Sequence, residues 1–155
     1  MDIESILNPE RVFGSLQASS KKRAIELAAD KIAASLPEAD TGTIYRNLIE
    51  REKLGTTGVG MGIAIPHGKL PGLERLHGMF ARLEQPIDFE AIDEQPVDLI
   101  FLLLAPESAG ADHLKALAKV SRLLRDETIC EKLRRLSSAK EIHALLTTAP
   151  ASNAA

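Results

Sequence analysis

Large aromatic side chains are nearly missing from this chain: its 155 residues include no Trp, one Tyr and four Phe. A core without big rings must be filled by Leu, Ile, Val and Ala, which favours helices packed on a sheet. An internal disulfide is excluded, because Cys130 is the single cysteine. That usage fits a reducing, cytoplasmic compartment. Cys130 lies between Ile129 and Leu133 in a helical pattern, so it reads as a half-buried structural thiol. Long hydrophobic runs are lacking too. The longest, Leu99 to Pro106, falls far short of the ~20 apolar residues that span a membrane as a helix. The acidic start Met1-Asp-Ile-Glu-Ser-Ile6 does not read as a secretory leader. Nor is there an excess of positive charge: 19 basic and 22 acidic residues give a net charge of -3. The basic footprint of a nucleic-acid binder is therefore absent. Lys21-Lys22-Arg23 is the nearest thing to a basic run and reads as a solvated helix start.

What is present describes one ordinary domain. Hydrophobic residues make up 45% and charged residues 26%, enough apolar material for a core without metals or cross-links. Arg11 to Gln17 reads as a short strand. Ser19 or Ser20 caps a helix in which Ala24, Leu27, Ala28 and Ile32 recur at helical spacing. Asp40 or Thr41 caps a second helix, to about Leu54, with Ile44, Tyr45, Leu48 and Ile49 inward. Leu76 to Leu83 reads as a strand covered on both faces, and Pro86 to Asp93 as an irregular or edge segment. Val97-Asp-Leu-Ile-Phe-Leu-Leu-Leu104 has the composition of a central strand buried on both sides. A helix from Ala111 to about Arg125 follows, with Leu114, Leu117, Ala118, Val120, Ser121 and Leu124 at helical spacing. Asp126 caps the next, to about Leu136, and Ser138-Ala-Lys-Glu141 is a capping-box pattern opening the last. Strands alternating with helices predict an α/β or α+β domain, a sheet with helices packed on both faces, over residues 1–146. The small-residue tail 147–155 is expected to be disordered.

Gly55, Gly58, Gly60, Gly62 and Gly68 gather in one segment and account for five of the ten glycines. Such a cluster marks either a chain turning through positive φ or a backbone approaching a ligand closely. On spacing alone a tight structural loop is the simpler reading. No Gly-Lys-Ser/Thr closes a phosphate-binding Walker loop, and no helix opens at Gly62 as a dinucleotide fingerprint requires. Ile63-Ala-Ile65 is strand-like and Pro66 fixes the chain after it. His67 then stands where a strand leaves the sheet. Proton transfer, metal binding and nucleophilic attack are all open to a histidine there. A zinc site built from His67, His77 and His113 finds little support, since no histidine lies three or four residues from another. His77 alternates with apolar neighbours and reads as a structural or surface residue, and His143 as a partly exposed helix residue.

The segment Gly55-Thr-Thr-Gly-Val-Gly-Met-Gly-Ile-Ala-Ile-Pro-His-Gly68 resembles the active-site signature of enzyme IIA of the phosphoenolpyruvate-dependent phosphotransferase system. The fructose/mannitol type is the match, and Pro66-His-Gly-Lys-Leu70 looks most like its nitrogen-regulatory branch. The resemblance implies a mixed β-sheet with helices on both sides. It implies that His67 accepts a phosphoryl group at Nε2 from a histidine-containing phosphocarrier of the HPr type. Arg51, His113 and Thr57 would assist, with Gly58, Gly60 and Gly62 as a phosphate-cradling loop. That chemistry calls for no cofactor and no metal in the protein. The implied output is regulation through partners such as potassium-transport or sensor-kinase proteins, with no nucleic acid and no membrane insertion. Two readings compete: an enzyme IIA passing phosphate to a sugar-specific IIB, and a phosphate-independent binding module of the same fold. Two positions depart from the branch pattern. Met61 stands where Asn is common, and Thr56-Thr57 where Ser-Thr is common.

Overall fold

The computed structural model describes residues 2–148. The chain opens with a single helical turn, α1 (Ile3–Ile6), and a 3-10 turn at Pro9–Arg11, followed by strand β1 (Val12–Leu16). Helices α2 (Lys21–Ala33) and α3 (Thr41–Lys53) come next. Their caps are the expected ones: Ser20 Oγ accepts from Arg23 N at 3.1 Å and Asp40 Oδ1 from Thr43 N at 2.7 Å. Four strands then alternate without a helix: β2 (Gly58–Gly60), β3 (Ile63–Ala64), β4 (His67–Leu70) and β5 (His77–Ile87). Strand β6 (Val97–Pro106) leads into α4 (Ala111–Leu124), α5 (Glu127–Arg135) and α6 (Ala139–Thr148). Asp126 caps α5 through Thr128 N and Ile129 N, and Ser138 Oγ accepts from Glu141 N at the start of α6.

Six strands form one mixed sheet in the order β1-β5-β6-β3-β2, with β4 also on β6. Strand β6 runs parallel to β3 and β4 and antiparallel to β5. Its unbroken apolar run is explained by what covers it. Ile100, Leu102 and Leu104 face a core made with α2 and α3, while Leu99, Phe101 and Leu103 face a second core made with α1, α4, α5 and α6. Successive side chains of a strand point to opposite faces, so a strand covered on both must be apolar throughout. The expected fold, one α/β domain with a mixed sheet between helical layers, is the observed one.

Several boundaries differ from the sequence-based expectation. Strand β5 continues through Pro86 to Ile87, because its register against β6 breaks between Arg82 and Ile87 and leaves the exposed Pro86 where no ladder bond is required. The segment after Ile87 is irregular as expected, yet Phe89 and Ala91 are buried. On α4 the buried stripe is His113, Ala116, Val120 and Leu124, and Leu114 is 69% exposed. Helix α6 includes Thr147 and Thr148, two residues assigned to the tail, and Thr147 Oγ1 donates to His143 O at 2.8 Å. The remainder of the predicted tail lies outside the described residues. Cys130 is fully buried, with Sγ against Leu124 O, and burial pushes its thiol pKa up.

Candidate active site

The glycine segment is a β-hairpin followed by a short edge strand. Met61 (φ 60°) and Gly62 (φ 81°) form its tip between the paired residues Gly60 and Ile63. Two consecutive positive φ values are what a two-residue type I′ hairpin turn requires. The strand β3 lies on β6, and Pro66 O accepts from Leu103 N at 2.9 Å. Pro66 thus steers the chain into β4, where His67 opens the strand opposite Leu103.

The imidazole of His67 is gripped on both nitrogens. Nδ1 lies 2.8 Å from Ile65 O, and since a carbonyl only accepts, Nδ1 carries the proton. The other nitrogen, Nε2, keeps its lone pair and receives Arg51 Nε at 3.3 Å. Arg51 stands in the last turn of α3 and also donates to Gly55 O at 2.9 Å. Burial holds the His67 pKa below its ordinary value and the Arg51 charge adds to this, while the Ile65 carbonyl and Glu52 act the other way. The ring is therefore a neutral base at neutral pH. Strand β4 approaches α3 closely: a Cβ on Gly68 would lie 1.9 Å from Asn47 Oδ1, so any larger residue there would displace the Asn47 side chain.

His113, in the first turn of α4, meets His67 edge to face with ring centroids 5.6 Å apart. It is 5% exposed, and its Nδ1 has no hydrogen-bond partner among the described residues. Burial lowers its pKa too, followed by the neighbouring charges of His67 and Lys69. Arg51, His67 and His113 line one open cleft of about 600 Å³, together with Asn47 and Lys69 and with Leu54 and Leu114 on its rim. The sequence placed three of these together. It missed Asn47, although Asn47 and Arg51 stand four residues apart on α3 and so share a helical face.

Thr57 and the three glycines stand elsewhere. Thr57 is buried, its hydroxyl donates to Glu52 Oε2, its N–H donates to Glu52 Oε1 at 3.1 Å, and it does not line the cleft. Gly58 packs against Ala91 and Phe89, Gly60 against Asp93, and Gly62 against Arg134 and Asp98. Their close approaches are to other residues of the protein itself, and none of the three lines the cleft. In this structure the three glycines therefore make packing contacts. His77 is structural: it is buried and its Nδ1 accepts from Arg11 Nη1 at 2.9 Å. His143 Nε2 lies 2.9 Å from Leu7 O and ties α6 to the chain after α1. Among the described residues no three side chains of His, Cys, Asp or Glu come together as a metal site.

Comparison with known proteins agrees with this fold. The chain is 54% identical over 154 residues to a nitrogen regulatory protein of Bradyrhizobium diazoefficiens, covering 99% of this chain and all of that one. A nitrogen regulatory protein of Pseudomonas aeruginosa is 41% identical over 93% of this chain and 94% of its own length. The crystal structure of nitrogen regulatory protein IIA-Ntr from Neisseria meningitidis superposes with a TM-score of 0.87 at 38% identity, covering 92% of this chain and 97% of that one. Residues 5–149 match the family described as the phosphoenolpyruvate-dependent sugar phosphotransferase system, EIIA 2, and the chain belongs to that family.

Proposed function

We propose that His67 accepts a phosphoryl group on Nε2 from the phosphohistidine of an HPr-type phosphocarrier, and that the phosphorylated and free forms of the protein signal differently to regulatory partners. The observation that carries this reading is the state of one ring: Nδ1–H is committed to Ile65 O, leaving the Nε2 lone pair directed into the cleft beside Arg51. In the transfer, Nε2 attacks phosphorus as the bond to the carrier's nitrogen breaks, and that nitrogen leaves with the bonding pair. The acceptor needs an unprotonated nitrogen, and the lowered pKa of His67 supplies it. Phosphoryl transfer depends mainly on position and charge. Arg51 offers donors that turn from Nε2 to the phosphoryl oxygens. His113 stands at ring-contact distance and at the N-terminal end of α4, whose dipole favours an anion.

The regulatory output rests on the relatives named nitrogen regulatory protein, which match this chain nearly end to end. Potassium-transport and sensor-kinase proteins are the partner classes to try first. Phosphate hand-over to a sugar-specific IIB is the competing output. The acceptor role is tested by incubation with phosphoenolpyruvate, enzyme I and the phosphocarrier. Wild type is expected to label and His67→Ala to stay unlabelled. Equal labelling of the two would sink the reading, as would a wild type that takes up none.

A further inference from the structure

Glu52 is a buried carboxylate that the cleft does not use. Its side chain is 6% exposed, and it neighbours Arg51 at the end of α3 without lining the cleft. A charge removed from water must be paired and hydrogen-bonded. Glu52 meets that demand with Lys21 Nζ, 2.9 Å from Oε1, and with the N–H and hydroxyl of Thr57. Lys21 in turn lies over the Phe89 ring and near Glu90. Two elements are thereby clamped onto α3: the start of α2 and the residue that enters the hairpin.

Thr57 is the link to the site. Its carbonyl accepts from Ile65 N at 2.9 Å across the hairpin. The carbonyl of Ile65 accepts the Nδ1 proton of His67 at 2.8 Å. Ile65 precedes Pro66, which restricts its backbone to extended conformations and fixes where that carbonyl points. Arg51 and Glu52, consecutive residues of one helical turn, therefore reach the two sides of a single imidazole. Arg51 touches Nε2 directly, and Glu52 sets the carbonyl on Nδ1 through Thr57 and Ile65.

Resting on the phosphotransfer reading above, we propose that Glu52 is a positioning residue for His67: by holding Thr57, it fixes the tautomer that leaves Nε2 free to react. This also gives Thr57 its function. The threonine acts behind the histidine, on the hairpin that carries it. Without the carboxylate, Thr57 loses both anchors, the Ile65 carbonyl drifts, and the imidazole proton divides between its two nitrogens. A ring protonated on Nε2 cannot attack from that atom.

The test reads the ring itself by nitrogen NMR of the imidazoles in the unphosphorylated protein, with phosphorylation rates alongside. Wild type is expected to hold His67 in the Nδ1–H form alone. In Glu52→Ala the other tautomer becomes visible at His67, the His77 and His143 rings stay unchanged, and phosphorylation slows about ten-fold or more. Glu52→Gln keeps an acceptor for the Thr57 N–H and restores the wild-type tautomer. Should Glu52→Ala not fold, Thr57→Val serves, because it deletes one of the two bonds to Glu52 and leaves the charges alone; a smaller shift of the same sign is expected. An unchanged His67 tautomer in a folded Glu52→Ala or in Thr57→Val overturns the proposal. A shifted tautomer in a protein whose wild type never labels supports the positioning role and defeats the phosphotransfer reading separately.

Discussion

Met61 holds a backbone conformation that suits few side chains. Its φ of 60° lies in the left-handed region, next to Gly62 at the hairpin tip. That region costs an ordinary L-residue roughly 1–2 kcal/mol, and Asn tolerates it better than most. Asn-Gly is the preferred pair for a two-residue turn of this kind. Met61, where the family resemblance leads one to expect Asn, is therefore a matter of turn strain, since Met61 does not line the cleft. Met61→Asn is expected to stabilise the protein by about 0.5–1 kcal/mol, seen as a rise in urea midpoint, and to leave phosphorylation of His67 unchanged. A loss of labelling in Met61→Asn would instead implicate residue 61 in the chemistry.

At the scale of elements, the legible parts were those where one local pattern decides. Ser20, Asp40, Asp126 and Ser138 each cap the helix that follows, because a side-chain oxygen there satisfies amides with no partner in their own helix. The run Val97 to Leu104 announced a strand covered on both faces, and β6 has a core on each. What stayed hidden depends on distant partners. Nothing near Pro86 signals that β5 crosses it, because the tolerance comes from a register break against β6. The glycines of the hairpin resembled an anion cradle, yet their crowding comes from Ala91, Asp93 and Arg134, residues far along the chain; the hydrogen bonds of Met61 N to Asp93 Oδ2 and of Arg134 Nη2 to Met61 O span 32 and 73 positions. His67, Arg51 and His113 were readable as a set only through the resemblance, since helix α3, strand β4 and helix α4 bring them together across 62 positions of sequence. Glu52 left no trace in the pattern at all: a charged residue in a charged helical turn looks solvated until Lys21 and Thr57 close over it.

For the whole molecule, the buried histidines contribute a pH dependence just below neutrality. His67, His77 and His113 all have pKa values below the ordinary one, burial being the first cause in each. Each therefore binds a proton more weakly folded than unfolded, and the unfolded chain takes up more protons as the pH drops. The stability these rings contribute is full above the unfolded histidine pKa, about 6.5, and is lost as the pH falls from there through the folded values. The urea midpoint is expected to decline on that side and to be flat just above it. A midpoint that rose with acidification would contradict the assignment of neutral, buried rings. The same downward shift leaves His67 neutral at neutral pH, the state its proposed chemistry needs.

The most direct test of the central claim is the linkage of the phosphoryl group. Protein phosphorylated through the phosphocarrier should show, by phosphorus and nitrogen NMR, a single phosphohistidine at residue 67 joined through Nε2, with Nδ1 still carrying its proton. A linkage through Nδ1, or phosphate on any other residue, would contradict the account.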